Sequence, residues 1–156
     1  MADPATLSAF VTWGITTYPA DRTAVVFWDH GGGWTGFGND ESSGQLLNLT
    51  QIEQGLKQGL AGANNAKPLA LVGFDACLMA SYDVGQTVRD YAKVLVASEE
   101  VEPGHGWNYD SLTLLDSAPQ APARDLGEAL MEGFFAQAID QQTQADVTLS
   151  VADLTT

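Results

Sequence analysis

Basic residues and cysteine are both scarce in this chain of 156 residues. Six Lys and Arg stand against 20 Asp and Glu, so the formal net charge is −14 at pH 7. Binding to duplex nucleic acid or to an anionic membrane needs a basic surface, and we therefore expect neither partner. The single cysteine cannot form an internal disulfide, which excludes a small secreted domain stapled by disulfides.

Long apolar runs are missing as well. No run approaches the about 20 residues that a helix needs to cross a bilayer. The first ten residues, MADPATLSAF, lack the basic and apolar regions of a signal peptide. We infer no cellular location from this. The apolar share of 45% and the length predict one globular domain over residues 1–156.

Short apolar strands alternate with helices along the chain. We predict strands, rich in β-branched or aromatic residues, over 23–29, 69–74, 93–97 and 146–151. Thr50 and Glu53 have the spacing of a capping box and predict a helix start. The Gly- and Ser-rich segment 35–49 is expected to be a long loop. This order predicts an α/β fold with a parallel sheet and right-handed crossovers.

Three predicted strands end in polar residues: Asp29-His30-Gly31, Asp75-Ala76-Cys77 and Ser98-Glu99-Glu100. Ligands of open parallel sheets bind at the carboxyl ends of the strands, so we expect a site there. A lone cysteine is most often a small buried hydrophobe. Here, however, Cys77 and His30 end two neighbouring strands, and this joint placement favours a nucleophilic Cys/His site.

The local surroundings of both residues suit such chemistry. A helix is expected to begin directly after Cys77, and its dipole would stabilise a thiolate. His30 is followed by three glycines, whose backbone can approach a ligand closely and offer N–H donors. An alternative is an anion-binding glycine loop, but the G-K-[ST] ending of a phosphate loop is absent.

Three strings carry a more specific signal: FWDHGGGW, FDACLMASYDV and VASEEVEPGHGWNYD. In this order and at this spacing they resemble the clostripain family of cysteine peptidases, which belongs to the caspase-like clan. The resemblance runs from Leu7 to Val151. It implies a caspase-like three-layer sandwich with a mainly parallel sheet, of which this chain is an incomplete part. Strand 23–29 would then have an open edge, and the missing portions of the same polypeptide are expected partners.

The resemblance also assigns roles to individual residues. His30 and Cys77 match the catalytic dyad, and Asp75 matches the acid at the base of the pocket for the residue before the cleaved bond. It implies an endopeptidase that cleaves protein or peptide substrates after Arg, or Lys, through an acyl-enzyme. By analogy with caspases, the backbone N–H groups of Gly31 and Cys77 are the candidates for the oxyanion hole.

The remaining assignments stay open. Ser98 and Glu99 match a region that lines the substrate cleft in the family, and a solvated acidic loop is the alternative. His105 is expected to be structural. A non-catalytic caspase-like module for binding or regulation is the alternative to the peptidase.

Cofactors and location follow from the same comparison. The sequence contains neither a CxxC nor an HxxxH spacing, so it predicts no zinc site. The proposed chemistry requires no cofactor, although calcium dependence occurs in the family. The resemblance implies a bacterial protein, secreted or in the cell envelope if the full-length protein carries a signal peptide.

The sequence predicts that no self-cleavage occurs within residues 35–49. Relatives commonly mature by a cut after a basic residue between the His and Cys segments, but residues 35–49 contain no Lys or Arg. Between His30 and Cys77 the basic residues are Lys57, in a predicted helix, and Lys67, which precedes Pro68. Mass spectrometry of purified, active protein should find this loop intact, and a clean cut within it would contradict the prediction.

Overall fold

The computed structural model describes residues 2–64 and 66–155, and for Asp146 only the backbone. The helices are α1 Pro4–Thr17, α2 Leu49–Gly62, α3 Tyr82–Val88, α4 Leu114–Ser117 and α5 Ala123–Asp140. The strands are β1 Ala24–Trp28, β2 Phe37–Asp40, β3 Gln45–Leu47, β4 Leu71–Asp75, β5 Val94–Ala97 and β6 Ser150–Asp153. Short 3-10 helices cover Gly33–Thr35, Tyr109–Thr113 and Gln144–Asp146. Within these described residues, no helix is long and apolar enough to cross a membrane.

The main sheet has the strand order β1-β4-β5-β6. β1 pairs with β4 and β4 pairs with β5 in parallel, which confirms the expected α/β fold with a mainly parallel sheet. The last strand departs from the parallel direction that the alternation of strands and helices predicts, because it pairs antiparallel with β5. Its predicted bounds of 146–151 are also shifted, since the strand covers Ser150–Asp153.

The path of the chain after β5 explains the reversed strand. Arg22, just before β1, donates hydrogen bonds to the carbonyls of Pro119 and Ala121, so the chain has already returned to the start of the strands before α5 begins. α5 then carries the chain back, and its Gln137 bonds the carbonyl of Gly106 near the opposite end. The next strand, β6, therefore starts near the carboxyl end of β5 and runs antiparallel to it.

Helices cover both faces of the sheet and make three layers. One core, between the sheet and α1, α2 and α3, includes Val72 and Phe74 of β4. The other, against α5, includes Leu71 of β4 together with Trp107. Because side chains alternate along a strand, Gly73 and Asp75 face α5 with Leu71. A Cβ at Gly73 would lie 3.0 Å from the Trp107 ring, so the absence of a side chain lets this ring pack on the strand.

Segment 35–49 is not the long loop that the sequence predicts. β2 and β3 form a small antiparallel hairpin there, and both Phe37 and Leu47 are buried. Phe37 packs edge-on against Phe27 and Phe74, at ring-centroid distances of 5.3 Å and 5.7 Å. These aromatic contacts hold the hairpin on the sheet in spite of its polar, Gly-rich composition.

The predicted capping box is displaced by two residues. Asn48, not Thr50, caps α2, because its side chain accepts from the N–H of Gln51 while the Gln51 side chain accepts from the N–H of Asn48. Asn and Gln satisfy the same pair of orphan donors as the Ser/Thr and Glu/Gln of the usual motif. The helix therefore starts at Leu49 and directly follows the hairpin.

β1 lies at the edge of the described sheet. Trp28 at its end is 72% exposed, and an apolar groove of about 330 Å³ runs along the strand. Leu7, Phe10 and Phe27 are among the groove residues. This arrangement agrees with the open edge expected for strand 23–29.

Glycines in α2 allow it to pack closely on α1. A Cβ at Gly59 would lie 2.6 Å from the Cβ of Val11, and one at Gly55 would lie 2.6 Å from a methyl carbon of Leu7. The hydroxyl of Thr12 also donates to the carbonyl of Gly59 over 3.0 Å. The side chains of α1 therefore pack directly on the backbone of α2 at Gly55 and Gly59.

We expect Gly59→Ala to lower the free energy of unfolding by about 1–2 kcal/mol, because overpacking outweighs the gain in helix propensity. Gly14→Ala in α1 is the matched control, since a Cβ there meets nothing within 4 Å. It should raise stability by up to about 1 kcal/mol. Urea unfolding of both variants measures the difference, and equal effects of the two substitutions would contradict the packing argument.

Candidate functional site

The register between β1 and β4 brings the His and Cys motifs together. Trp28 at the end of β1 pairs with Asp75 at the end of β4. His30 comes two residues after Trp28, and Cys77 comes two residues after Asp75. A Cβ at Gly31 would lie 2.0 Å from the carbonyl oxygen of Cys77, so the two main chains touch here. His30 itself is exposed, while Cys77 is half-buried.

Left-handed backbone on both sides shapes the contact. Leu78 has φ of 65°, which is uncommon for a residue with a side chain, and Gly33 has φ of 60°. A Cβ at Gly33 would lie 3.1 Å from the carbonyl of Leu78. Backbone in this region costs about 1–3 kcal/mol and persists only where its surroundings hold it. The turn after Cys77 is therefore held by the glycine loop.

The helix expected directly after Cys77 is absent from that position. α3 begins at Tyr82 with Ser81 as its N-cap, and a turn through Leu78 separates it from the cysteine. The left-handed conformation of Leu78 is incompatible with a helix that continues from Cys77. The argument that a helix dipole supports the thiolate is thus wrong for this chain.

The segment after β5 supports the cysteine instead. Leu78 donates its N–H to the carbonyl of Glu100 over 3.0 Å, and Ala80 donates to the carbonyl of Ser98 over 2.8 Å. The N–H of Glu102 points at Cys77 Sγ, 3.2 Å away. A backbone donor at this distance stabilises negative charge on sulfur.

Ser98 and Glu99 occupy different environments. The Ser98 side chain is fully buried, and its hydroxyl bonds the carbonyl of Glu100 over 2.9 Å and the hydroxyl of Thr148 over 3.0 Å. This hydroxyl therefore shapes the segment, and contact of Ser98 with a substrate remains a prediction. Glu99 is exposed, and its N–H donates to Thr148. Contact with a substrate remains a prediction for Glu99.

Asp75 is buried below the segment that supports the cysteine. Its side chain is 4% exposed and accepts from the N–H of Trp107 over 3.1 Å and from the hydroxyl of Tyr109 over 2.8 Å, both at Oδ2. A Cβ at Gly106 would lie 3.1 Å and 3.2 Å from the two carboxylate oxygens. Only a glycine leaves the approach to Asp75 open, and Gly106 has the φ of 64° that favours glycine.

Glu102 lies beside Asp75 with an unusual proton affinity. Burial raises the pKa of Glu102 to about 9, and the neighbouring charge and hydrogen-bonding contact of Asp75 add to the rise against the lowering effect of the Trp107 donor. Oε1 accepts from the indole N–H of Trp107 over 3.2 Å. The Glu102 carboxyl therefore holds a proton more tightly than an ordinary glutamate does. The pKa of Tyr109 is raised as well, mainly by burial and also by the hydrogen bond and the negative charge of Asp75.

His105 is held as a structural residue. Its Nε2 lies 3.0 Å from the hydroxyl of Thr143, and its Nδ1 lies 2.9 Å from the side-chain amide nitrogen of Gln137. The ring also packs against Phe134, with centroids 5.8 Å apart. Both ring nitrogens are thus bonded to α5 or to the turn after it, which ties segment 101–107 to α5.

Several of these contacts escape sequence reasoning. The sequence predicts packing or a cleft wall for Trp107. It predicts no contact with Asp75 for Glu102, Trp107 or Tyr109, although all three lie in the string VASEEVEPGHGWNYD. A motif shows that the string matters but not that its residues converge on Asp75. The part of the chain that the structure describes holds no group of three or more His, Cys, Asp or Glu suited to a metal ion.

Comparisons with known proteins decide the family. The model of the clostripain family, Peptidase_C11, matches residues 1–156. The chain belongs to the clostripain family. Clostripain from Hathewaya histolytica is 27% identical over 132 residues, which cover 72% of this chain and 24% of that protein.

Solved structures show the same fold. A secreted C11 cysteine protease from Bacteroides thetaiotaomicron, solved with an irreversible peptide inhibitor, superposes with a TM-score of 0.78 at 24% identity, over 98% of this chain and 45% of that one. An inactive zymogen C11 protease from Parabacteroides distasonis superposes with a TM-score of 0.72 at 20% identity, over 98% and 40%. This clostripain-family chain thus spans less than half of the solved chains and about a quarter of the curated relative.

The contact between Gly31 and Cys77 generates a test that is independent of any substrate. Gly31→Ala forces the turn after β4 to move, because the new Cβ meets backbone at Cys77. We expect a lower unfolding temperature and a changed rate of alkylation by iodoacetamide, which reports on Cys77 alone because the chain has one cysteine.

Gly104→Ala is the matched control, since its Cβ meets nothing within 4 Å. It should leave both readings close to those of the parent protein. An unchanged alkylation rate and unfolding temperature in Gly31→Ala would show that the two motifs do not touch as described.

Proposed function

We propose that the protein containing this chain is a cysteine endopeptidase that cleaves after Arg or Lys through a His30–Cys77 dyad. The observation that carries the proposal is the meeting of the two motifs at adjacent strand ends, with Gly31 against Cys77. The clostripain-family match over the whole chain supports the same chemistry. Proteins or peptides with a basic residue before the cleaved bond are the proposed substrates.

Cys77 is the nucleophile in this proposal. Its thiolate attacks the scissile carbonyl, and the tetrahedral intermediate collapses to a thioester as the amine leaves. His30 accepts the thiol proton and gives it to the leaving amine. Water, deprotonated by His30, then hydrolyses the thioester and regenerates the thiol. The Glu102 N–H, 3.2 Å from Sγ, is a hydrogen-bond donor that positions the sulfur before attack.

Gly31 and Cys77 are proposed to donate the oxyanion-hole N–H groups. The bridge between Gly31 and Phe37 is closed by hydrogen bonds at the flanking residues, His30 and Gly32, so the N–H of Gly31 takes no part in it. Such a donor is available to a developing oxyanion without the loss of a strand contact.

Asp75 is proposed to select the basic residue. It lies on the α5 side of the sheet two residues before the nucleophile, with two donors fixed on one oxygen. A buried carboxylate pairs strongly with a guanidinium, which it can bind through two parallel hydrogen bonds. Because Asp75 is 4% exposed, a cationic side chain must displace the cover around Gly106 to reach it.

The wider setting is also a proposal. The similar proteins include secreted bacterial C11 proteases, which supports a secreted or cell-envelope location for the full-length protein. The missing portions of the polypeptide are proposed to complete the peptidase domain and cover the edge of β1. A comparison of peptidase activity in the presence of calcium and in the presence of a chelator tests calcium dependence.

A fluorogenic peptide with Arg before the cleaved bond tests the dyad in the full-length protein. Cys77→Ala and His30→Ala should each lower kcat/KM by at least about 1,000-fold, because each removes a group that acts at the reacting atoms. No cysteine-dependent turnover by folded, full-length protein would sink the peptidase and favour the alternative of a non-catalytic caspase-like module.

Asp75→Asn tests the selection of basic residues. It should abolish the preference for Arg over an uncharged residue, since the amide offers no charge to the guanidinium. Asp140→Asn, at an exposed position in α5, is the matched control and should keep the preference. An intact Arg preference in Asp75→Asn would remove Asp75 from the pocket.

A further inference from the structure

Two carboxyl groups share the floor of the proposed pocket. The side chain of Glu102 lies within hydrogen-bonding reach of the Asp75 carboxyl. Asp75 is buried, and Glu102 is half-buried with its Oε2 shielded from water. None of the groups that shift the Glu102 pKa is a cation. Two negative charges so close, without a counter-ion, cannot both persist in a site of low dielectric.

One oxygen of this pair has no hydrogen-bond donor. Among the described residues, Oε2 of Glu102 is buried without a partner, while Oε1 is taken by the indole of Trp107. A buried acceptor without a partner is unfavourable. A proton on Glu102 turns one acceptor into a donor, and the neighbouring Asp75 supplies an acceptor within reach.

We propose that Asp75 and Glu102 share one proton in the free enzyme, and that entry of a cationic substrate side chain releases this proton to water. This inference rests on the proposed selection of basic residues. Glu102 is then a specificity-determining residue: neutral while the pocket is empty, it becomes a second carboxylate when a guanidinium enters. The proton returns to Glu102 from solvent when the product leaves.

The surroundings of Glu102 single out Asp75 as its partner. Asp75 of β4 and Tyr109 of the following 3-10 helix face the same cluster, and the Cys77 thiol contacts the main chain of Glu102. Burial raises the pKa of Tyr109, so its hydroxyl stays a donor to Asp75 across the range in which Glu102 titrates. His105, on the same segment, is bonded to Thr143 and Gln137, away from the pair.

The ratio of kcat/KM for two peptides isolates this proton from the titration of the dyad. One peptide carries Arg before the cleaved bond and the other carries citrulline, its uncharged isostere. The dyad acts on both peptides, so its pH dependence cancels in the ratio. In the full-length protein, the Arg/citrulline ratio should rise with pH from 6, by up to about tenfold per unit, and level off near pH 9.

Glu102→Gln removes the ionisation while it keeps an acceptor for Trp107 and a donor for Asp75. Its ratio should still favour Arg but should be independent of pH, with the change confined to KM. Glu132→Gln, at an exposed position in α5, is the matched control and should follow the parent profile. A merely structural role of Glu102 would lower activity on both peptides equally at every pH.

A second readout does not depend on turnover. Carbon-13 NMR of glutamate carboxyls in the full-length protein should show one group titrating near pH 9, and Nα-acetyl-arginine amide should move that titration to lower pH. Absence of any glutamate with a raised pKa would overturn the inference, as would a pH-independent Arg/citrulline ratio in the parent protein. A parent protein without any preference for Arg would instead overturn the proposed function on which the inference rests.

Discussion

The parallel register between β1 and β4 is the constraint on which the site depends. With Trp28 opposite Asp75, the residues two positions further along each strand are His30 and Cys77. A shift by one residue would turn every side chain of β1 to the other face of the sheet. Phe27 would then leave its stacked contact with Phe74, whose ring lies 4.7 Å away. Core packing thus fixes the register, and the register fixes the dyad.

The segment after β5 supplies what the two strand ends lack. Its main chain runs along the cysteine turn, and its side chains close over the end of β4. Trp107 joins the core under α5 and also places two donors, on Asp75 and on Glu102. Burial of acidic groups is unfavourable without such donors. The support of Cys77 and the hydrogen bonds to Asp75 therefore depend on one segment, because the Glu102 main chain contacts Cys77.

The positions of the first three strands of the main sheet, the fold class and the family were accessible from the sequence because apolar strands end in polar motifs at fixed spacing. The hairpin around Phe37 was not, since its burial depends on rings of two distant strands. The reversed last strand was also missed, because it follows from where the chain turns back near Arg22. The interaction of Asp75 with Glu102 joins residues 27 positions apart and has no local signature, so only the folded chain reveals it.

The most direct test of this account is covalent labelling of the full-length protein with two peptidyl chloromethyl ketones that differ only in an Arg or an uncharged residue beside the reactive group. Intact mass and peptide mapping locate the adduct. The account predicts a single adduct on Cys77, formed much faster with the Arg reagent and lost in His30→Ala. Equal labelling by both reagents, or labelling that does not depend on His30, would contradict it.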